Sequence, residues 1–555
     1  MSNVTNLEKA AEKLAKKGKR RSSLGPSAGA FDANGRRVIR HDPGRLPEIL
    51  DELGAALAEA GGNLFVYTDR LTRIYTASES AQGGVSRPRG ALILHPVDGA
   101  HLVELATRAA LHERYDSRSE GYRICDCPRR AVESYLSRGS WPELRTLAGI
   151  VETPTATPQG RVLDQPGYDE ETGLFLALGS IPGYEAPPAK PSMKAASAAA
   201  ARLLAMVSEF PFVDDTDKSA FLGGVLTGLL RRMLPAAPMM AVTAPTPGTG
   251  KTLIAETFAI IATGRRASVL SLGHDEAETE KRLAGVLMAG DACIALDNIE
   301  RPLKGDLLCQ VLTQQFVRLR PLGASGMVSI PTHALMVATG NNLAIVGDLK
   351  RRVSLIRMDA GQERPEQRSF ARDHLEDVFA KRGELIRDAL TIFLAYHAAG
   401  SPTVPGLHPL GGFELWDRMV RRPLVWLGLP DPLKASEGLR DQDPDIEAMR
   451  LLFSSWFELF GDEGKTAADA VAAGMETKPM SGDYVQPELR DALQLVCSEK
   501  PNTRRLGYWL KAHRDRICDG FTLKQAGTAG RMKLTRWQVV CAGDGESSPA
   551  SKEGA

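Results

Sequence analysis

Gly248-Thr249-Gly250-Lys251-Thr252 is a run suited to holding a charged phosphate chain. It follows Val242-Thr243-Ala244-Pro245-Thr246-Pro247 and leads straight into the apolar stretch Leu253-Ile254-Ala255. In such a loop, backbone N–H groups wrap polyphosphate oxygens, the lysine sets its charge on the outer phosphates, and the hydroxyl residue holds magnesium. Glycines let the main chain come close, and the following helix N-terminus adds a field that favours anions. Pro247, Gly248, Thr249, Gly250, Lys251 and Thr252 are therefore the candidate nucleotide contacts. The run departs from G-x-x-x-x-G-K-[ST] at its first position, where Pro245 replaces glycine.

Further residues extend this chemistry. Ala292-Cys293-Ile294-Ala295-Leu296-Asp297 reads as a buried parallel strand that delivers a carboxylate to its C-terminal edge, where doubly wound sheets keep their ligands. Asp297 is expected to hold magnesium beside Thr252. Its neighbour is Asn298, which can orient water but cannot take its proton, so Glu300 is the candidate substitute base. A second buried strand, residues 334–339, ends in Gly340-Asn341-Asn342, and Asn341 is placed to stand between phosphate and attacking water. Arg351 and Arg352 follow, just before another apolar run. Paired arginines there would ordinarily be a solvated edge. After a phosphate loop, an acid-tipped strand and an amide-tipped strand, they read better as an arginine finger, supplied by a neighbouring subunit. Residues 316–330 alternate around a Gly-Ala-Ser-Gly turn and read as a hairpin whose Arg318 and Arg320 could grip a DNA backbone.

These residues need several elements to position them. At 555 residues the chain exceeds one core, and 43% hydrophobic with 25% charged residues is an ordinary globular composition. The fold class is α/β and multidomain. A basic tail at 1–35, with Lys9, Lys13, Lys16, Lys17, Lys19, Arg20 and Arg21, precedes an α/β domain at 36–185. Within that domain a hairpin is expected at 63–75, with helices at 102–112 and 130–138. A proline-rich connection and two helices occupy 186–236, the ATPase core 237–362, and a helical region 363–460 whose Trp416, Trp426 and Trp456 read as core. Three helices and a hairpin at 461–542 have the order of a winged helix-turn-helix, and a tail closes at 543–555. The third of those helices carries Arg504, Arg505, Lys511, His513 and Arg514, and the wing carries Lys524, Lys533 and Arg536. Together they are candidate DNA contacts.

Net charge of only +1 neither requires nor excludes nucleic acid. Seven sparse cysteines read as reduced thiols, and Cys125-x-Cys127 lacks a second pair at zinc spacing. Neither a signal peptide nor a spanning apolar run is apparent, so a cytoplasmic, non-membrane protein is expected.

Taken in order, Gly-Thr-Gly-Lys-Thr, Leu296-Asp297-Asn298, the hairpin, Ala338-Thr339-Gly340-Asn341-Asn342 and Gly347-Asp348-x-x-Arg351-Arg352 resemble a known family. It is the AAA+ ATPase core of prophage and mobile-element replication proteins, relatives of the superfamily 3 helicases and poxvirus-type primase-helicases. Upstream, Pro154, Gly160, Pro166-Gly167-Tyr168-Asp169 and Thr172-Gly173-Leu174 resemble the segment before that core. The resemblance implies an ATP- and Mg2+-dependent ring, commonly a hexamer, that encircles and unwinds DNA during replication of the element. It assigns nucleotide roles to Lys251, Thr252, Asp297, Asn341 and Arg351 or Arg352, and makes 36–185 a domain of primase-helicase type. Residues 1–150 hold no four-cysteine module or clear paired-acid site, so a separate primase is an expected partner. The alternative is an AAA+ switch or loader that assembles on origin DNA without unwinding it. A small-molecule kinase is disfavoured, because it needs neither the arginine pair nor the basic C-terminal module.

Overall fold

The computed structural model describes residues 31–541 other than 79, 83–84, 274, 320–326, 369–371, 442–443, 480–482, 498–499 and 530–533. The basic run 9–21, Arg320, Lys533 and the closing tail lie outside the described residues.

The N-terminal part runs β1 (Arg37–Arg40), α1 (Leu46–Ala60), β2 (Phe65–Tyr67), β3 (Arg70–Thr76), β4 (Ser80–Gln82), β5 (Val85–Arg87), β6 (Leu92–Pro96), α2 (Gly99–Ala109), β7 (Ala110–Asp116), β8 (Gly121–Cys125) and α3 (Arg129–Ser137). Hairpin β2–β3 turns on Thr68 and Asp69, both left-handed, the backbone that matches strand twist in two-residue loops. β1 pairs parallel with β7, and β7 antiparallel with β8. Helices α1, α2 and α3 cover this sheet through Leu53, Leu102, Val132 and Tyr135. The helix expected at 102–112 ends at Ala109, because the next residues zip alongside β1. His112 is thus a strand residue, buried, and its Nε2 donates to the Ala106 carbonyl at 2.9 Å.

Next come β9 (Gly149–Val151), β10 (Thr155–Ala156), β11 (Val162–Leu163), β12 (Gly167–Asp169) and β13 (Leu174–Leu176). Arginines from later in the chain tie this stretch down: Arg232 donates to the carbonyls of Ile150 (3.1 Å) and Gly290 (2.8 Å), and Arg382 to that of Glu152 (2.8 Å). Two helices lead on, α4 (Met193–Ala205) and α5 (Asp215–Leu230). Asp214 and Asp217 form a capping box at the start of α5, which satisfies N–H groups that the helix itself cannot.

The central sheet then forms from β14 (Met239–Ala244), α6 (Lys251–Thr263), β15 (Ser268–Leu270), α7 (Glu276–Met288), β16 (Cys293–Ile299), α8 (Asp306–Thr313), β17 (Phe316–Leu319), β18 (Val328–Pro331), β19 (Leu335–Asn341) and β20 (Val353–Arg357). Strand order is β20-β14-β19-β16-β15-β5-β4. The five strands of this segment are parallel, whereas β5 and β4 arrive from the N-terminal part and add antiparallel to the edge. Covered on both faces, the parallel strands read as nearly unbroken apolar runs. One face packs against α5 and α6 through Leu226, Phe258 and Val337. The other packs against α7 and α8 through Leu287, Ile294 and Val311. Hairpin β17–β18 pairs Arg318 with Ser329.

Beyond the sheet lie α9 (His374–Ala380), α10 (Arg382–Ala398), α11 (Glu414–Trp416), a π turn at Asp417–Arg421, α12 (Arg422–Trp426), α13 (Lys434–Asp441) and α14 (Pro444–Phe460). The expected helical stretch is interrupted at 399–413, where Pro402, Pro405 and Pro409 deny the backbone helical bonds. Trp416 and Trp456 are fully buried and Trp426 is partly so. The last part holds β21 (Lys465–Thr466), α15 (Ala467–Met475), α16 (Pro487–Cys497), α17 (Thr503–Ala512), β22 (Ile517–Cys518), β23 (Phe521–Ala529) and β24 (Leu534–Cys541). Its core draws Leu452, Phe453 and Trp456 from α14, and β21 pairs with β24; neither feature was expected from sequence. No helix among the described residues is long and apolar enough to cross a membrane.

Candidate nucleotide site

Strand β14 ends at Ala244, residues 245–250 form the loop, and α6 starts at Lys251. Within 245–250, left-handed backbone occurs only at Gly248 (φ 75°) and Gly250 (φ 97°). Pro245 therefore occupies a position that asks nothing of glycine, which explains the departure from the usual pattern. The loop is braced from outside. A Cβ on Gly250 would meet the Phe210 ring at 2.9 Å, and one on Gly248 would meet Glu366 at 2.9 Å.

The polar groups of the loop turn inward on each other. Lys251 Nζ donates to the Thr246 carbonyl (3.0 Å) and to Thr249 Oγ1 (3.1 Å). Burial lowers the Lys251 pKa, while Asp297 nearby opposes that shift. Thr246 Oγ1 is buried with no hydrogen-bond partner among the described residues, and a buried unpaired hydroxyl is costly. A polyphosphate would satisfy that hydroxyl and give the lysine an anion in place of backbone oxygens.

Asp297 lies opposite the loop on β16. Its Oδ1 accepts from Thr252 Oγ1 at 3.2 Å and from Thr339 Oγ1 at 2.5 Å. Hydroxyl and carboxylate thus converge at the head of α6, a donor set that suits a hard cation with phosphate and water as its other ligands. Thr339 was not anticipated. Nothing in a lone strand threonine marks it, and only the register of β19 against β16 brings it to the acid.

Asn298 also has a backbone role. It sits in a bulge between Leu296 and Ile299 with φ 52°, and asparagine tolerates left-handed backbone better than most residues. Its N–H donates to Thr339 Oγ1 (3.1 Å), and its amide donates to Glu300 Oε1 (3.3 Å). Glu300 is exposed beyond the bulge. Asn341 is exposed at the end of β19, in register with Ala244 where the loop begins.

Arg351 and Arg352 are elsewhere. They close a 3-10 turn, Gly347–Arg352, that leads into β20. Val353 is in register with Met239, the first residue of β14, whereas the loop follows its last residue. The arginines thus sit at the opposite end of the sheet, about 17 Å of strand away. They also differ. Arg352 is anchored, 14% exposed, donating to Thr313 Oγ1 (2.8 Å) and the Cys309 carbonyl and pairing with Asp348. Arg351 is 62% exposed and, among the described residues, pairs with Asp348 alone.

The expected DNA contacts divide similarly. Arg318 is exposed on β17. Arg504 and Lys511 are exposed on α17, with Arg504 over the Tyr508 ring at 5.8 Å. Arg505 instead donates to the Cys497 carbonyl (2.9 Å) and so ties α17 to the end of α16. His513 stacks on Trp509 at 3.9 Å, and Arg514 pairs with Asp515 at 3.1 Å.

No family model matches this chain, and no curated protein does. Among solved structures, two A-form apo structures of the NrS-1 C-terminal region are similar. They have TM-scores of 0.39 and 0.35 at 14% and 12% identity, and each match covers 80% of this chain and all of that region. SCCmec type IV Cch, described as an active helicase, matches with a TM-score of 0.29 at 12% identity over 87% of this chain and 98% of Cch. These likenesses are remote.

Proposed function

We propose that the chain is an AAA+-type ATP hydrolase acting as a DNA helicase or translocase for replication of a phage, prophage or other mobile element. The convergence of Lys251, Thr252 and Asp297 at the head of α6 carries the reading of the nucleotide site. In this reading residues 247–251 hold the phosphates, and Thr252 with Asp297 holds Mg2+. The metal, when bound, supplies charge neutralisation on the transferring phosphate. Thr339 fixes the Asp297 carboxylate, and Asn341 orients the attacking water.

The position of Arg351 supports a site shared between subunits. Sheet geometry keeps it from its own loop, its ion pair with Asp348 is solvent-exposed and so easily exchanged, and Arg352 holds the turn beneath it. A ring, probed first as a hexamer, would bring each Arg351 to the next subunit's phosphates. DNA would meet the β17–β18 hairpin at Arg318 and the α17 face at Arg504 and Lys511, with priming left to a separate protein.

Strand separation of a forked duplex, with ATP and Mg2+, tests this function. The wild type should unwind and Lys251→Ala should not. DNA-stimulated ATP hydrolysis without strand separation would instead favour the loader.

A further inference from the structure

The ribbon formed by β7 and β8 has no part in ATP chemistry. β1 lies beside β7 only from Ala110 to Glu113. Past that point β7 and β8 continue as two strands, pairing Arg114 with Arg123, Tyr115 with Tyr122 and Asp116 with Gly121. A two-stranded ribbon is marginally stable alone in water, so the groups its faces present are informative.

One face sets Arg114 directly opposite Arg123, an arrangement of like charges that is destabilising. The acid on that face is already engaged: Asp116 pairs with Arg123 at 3.1 Å and accepts from Ser119 Oγ (3.0 Å) and the Arg118 N–H (2.9 Å). Among the described residues, the guanidinium groups of Arg114 and Arg118 have no hydrogen-bond or ion-pair partner. The other face carries Tyr115, 45% exposed and edge-on to Tyr122, and Ile124, 72% exposed. Glu113 at its base is held by Arg40 (3.0 Å), which also lies 4.4 Å from the Tyr122 ring centre.

We propose that this ribbon is a second nucleic-acid contact, in which Arg114, Arg118 and Arg123 hold the phosphate backbone and Tyr115 packs on a sugar or base. Guanidinium groups bind phosphate oxygens in pairs, and a two-stranded ribbon fits a DNA groove. Set into a groove, the ribbon would turn its cationic face toward one wall and its aromatic face toward the other, so phosphates meet Arg114 and Arg123 on one side and a sugar or base meets Tyr115 on the other. A phosphate between Arg114 and Arg123 would relieve their repulsion. The inference does not depend on the ATPase site.

The test is anisotropy of a labelled forked DNA with the full chain across a salt series. Arg114→Ala with Arg118→Ala should weaken binding and flatten the dependence of log K on log salt by about two. Tyr115→Ala should cost about tenfold in affinity at fixed salt with little change in slope. Arg129→Ala, in an exposed pair with Glu133 on α3, should change neither. A photocrosslinker at position 115 provides a readout on the unsubstituted arginines, and a DNA adduct is expected. An unchanged salt slope in the double variant, adducts to protein but not DNA, or no DNA binding by the wild type would each overturn the proposal.

Discussion

Asp297 is positioned by a threonine. Thr339 donates to its Oδ1 and accepts from the Asn298 N–H, so one hydroxyl fixes both the acid and the bulge beside it. Thr339→Val keeps the shape and removes the link. It should leave ATP affinity near wild type but weaken the apparent affinity for Mg2+ about tenfold, the usual cost of losing a group that orients a metal ligand. A magnesium titration of ATP hydrolysis checks this. Asn298→Ala should destabilise by about 1 kcal/mol through its left-handed backbone, while Asn298→Gly should not; thermal melting of the pair separates them. At this scale the loop and Asp297 were legible because their types and order are distinctive. Thr339 and the backbone role of Asn298 were not, since both depend on register between strands distant in sequence.

Helix packing makes its own demand at the level of elements. Beyond its polar first turn, α5 is almost entirely buried from Ser219 to Leu230 and carries small or apolar residues nearly all round. Gly224 lets it close on α6: a Cβ there would lie 2.5 Å from the Phe258 ring. That ring also lies tilted against Phe221, with centroids 5.4 Å apart, and has little room to move. Gly224→Ala should therefore destabilise by about 1–3 kcal/mol, seen as a lower thermal midpoint with ATP affinity falling in parallel. Strands β16 and β19 could be read from their apolar runs, and the three C-terminal helices from their order before a hairpin. The boundary between α2 and β7 could not. Ala109-Ala110-Leu111-His112 continues the helical pattern without a breaker, and pairing with β1 decides the outcome. The addition of β5 to β15, clasped by Arg87 on Asp291 at 2.8 Å, is likewise a long-range event with no local signature.

At the scale of the molecule, buried histidines set the response to acid. Burial lowers the pKa of His112 and His374, that of His41 with help from His112, and that of His333 to about 3. In the unfolded chain each returns to 6.5, so the unfolded state binds more protons below that value. Stability should be full above about pH 6.5 and fall progressively beneath it. Both ring nitrogens of His333 are buried without hydrogen-bond partners among the described residues, so His333→Leu should flatten the acid loss and raise stability at neutral pH. Melting curves across that range measure both effects.

The central claim is that neighbouring subunits complete one another's ATP sites. It is tested most directly by mixing Lys251→Ala chains, which keep Arg351, with Arg351→Ala chains, which keep the phosphate loop. Each variant alone should hydrolyse little ATP, though the second should still bind it. Equal mixing should restore activity at about a quarter of the interfaces, where an intact loop meets an intact arginine. No recovery in assemblies shown to contain both chains, or full activity of Arg351→Ala alone, would contradict the claim.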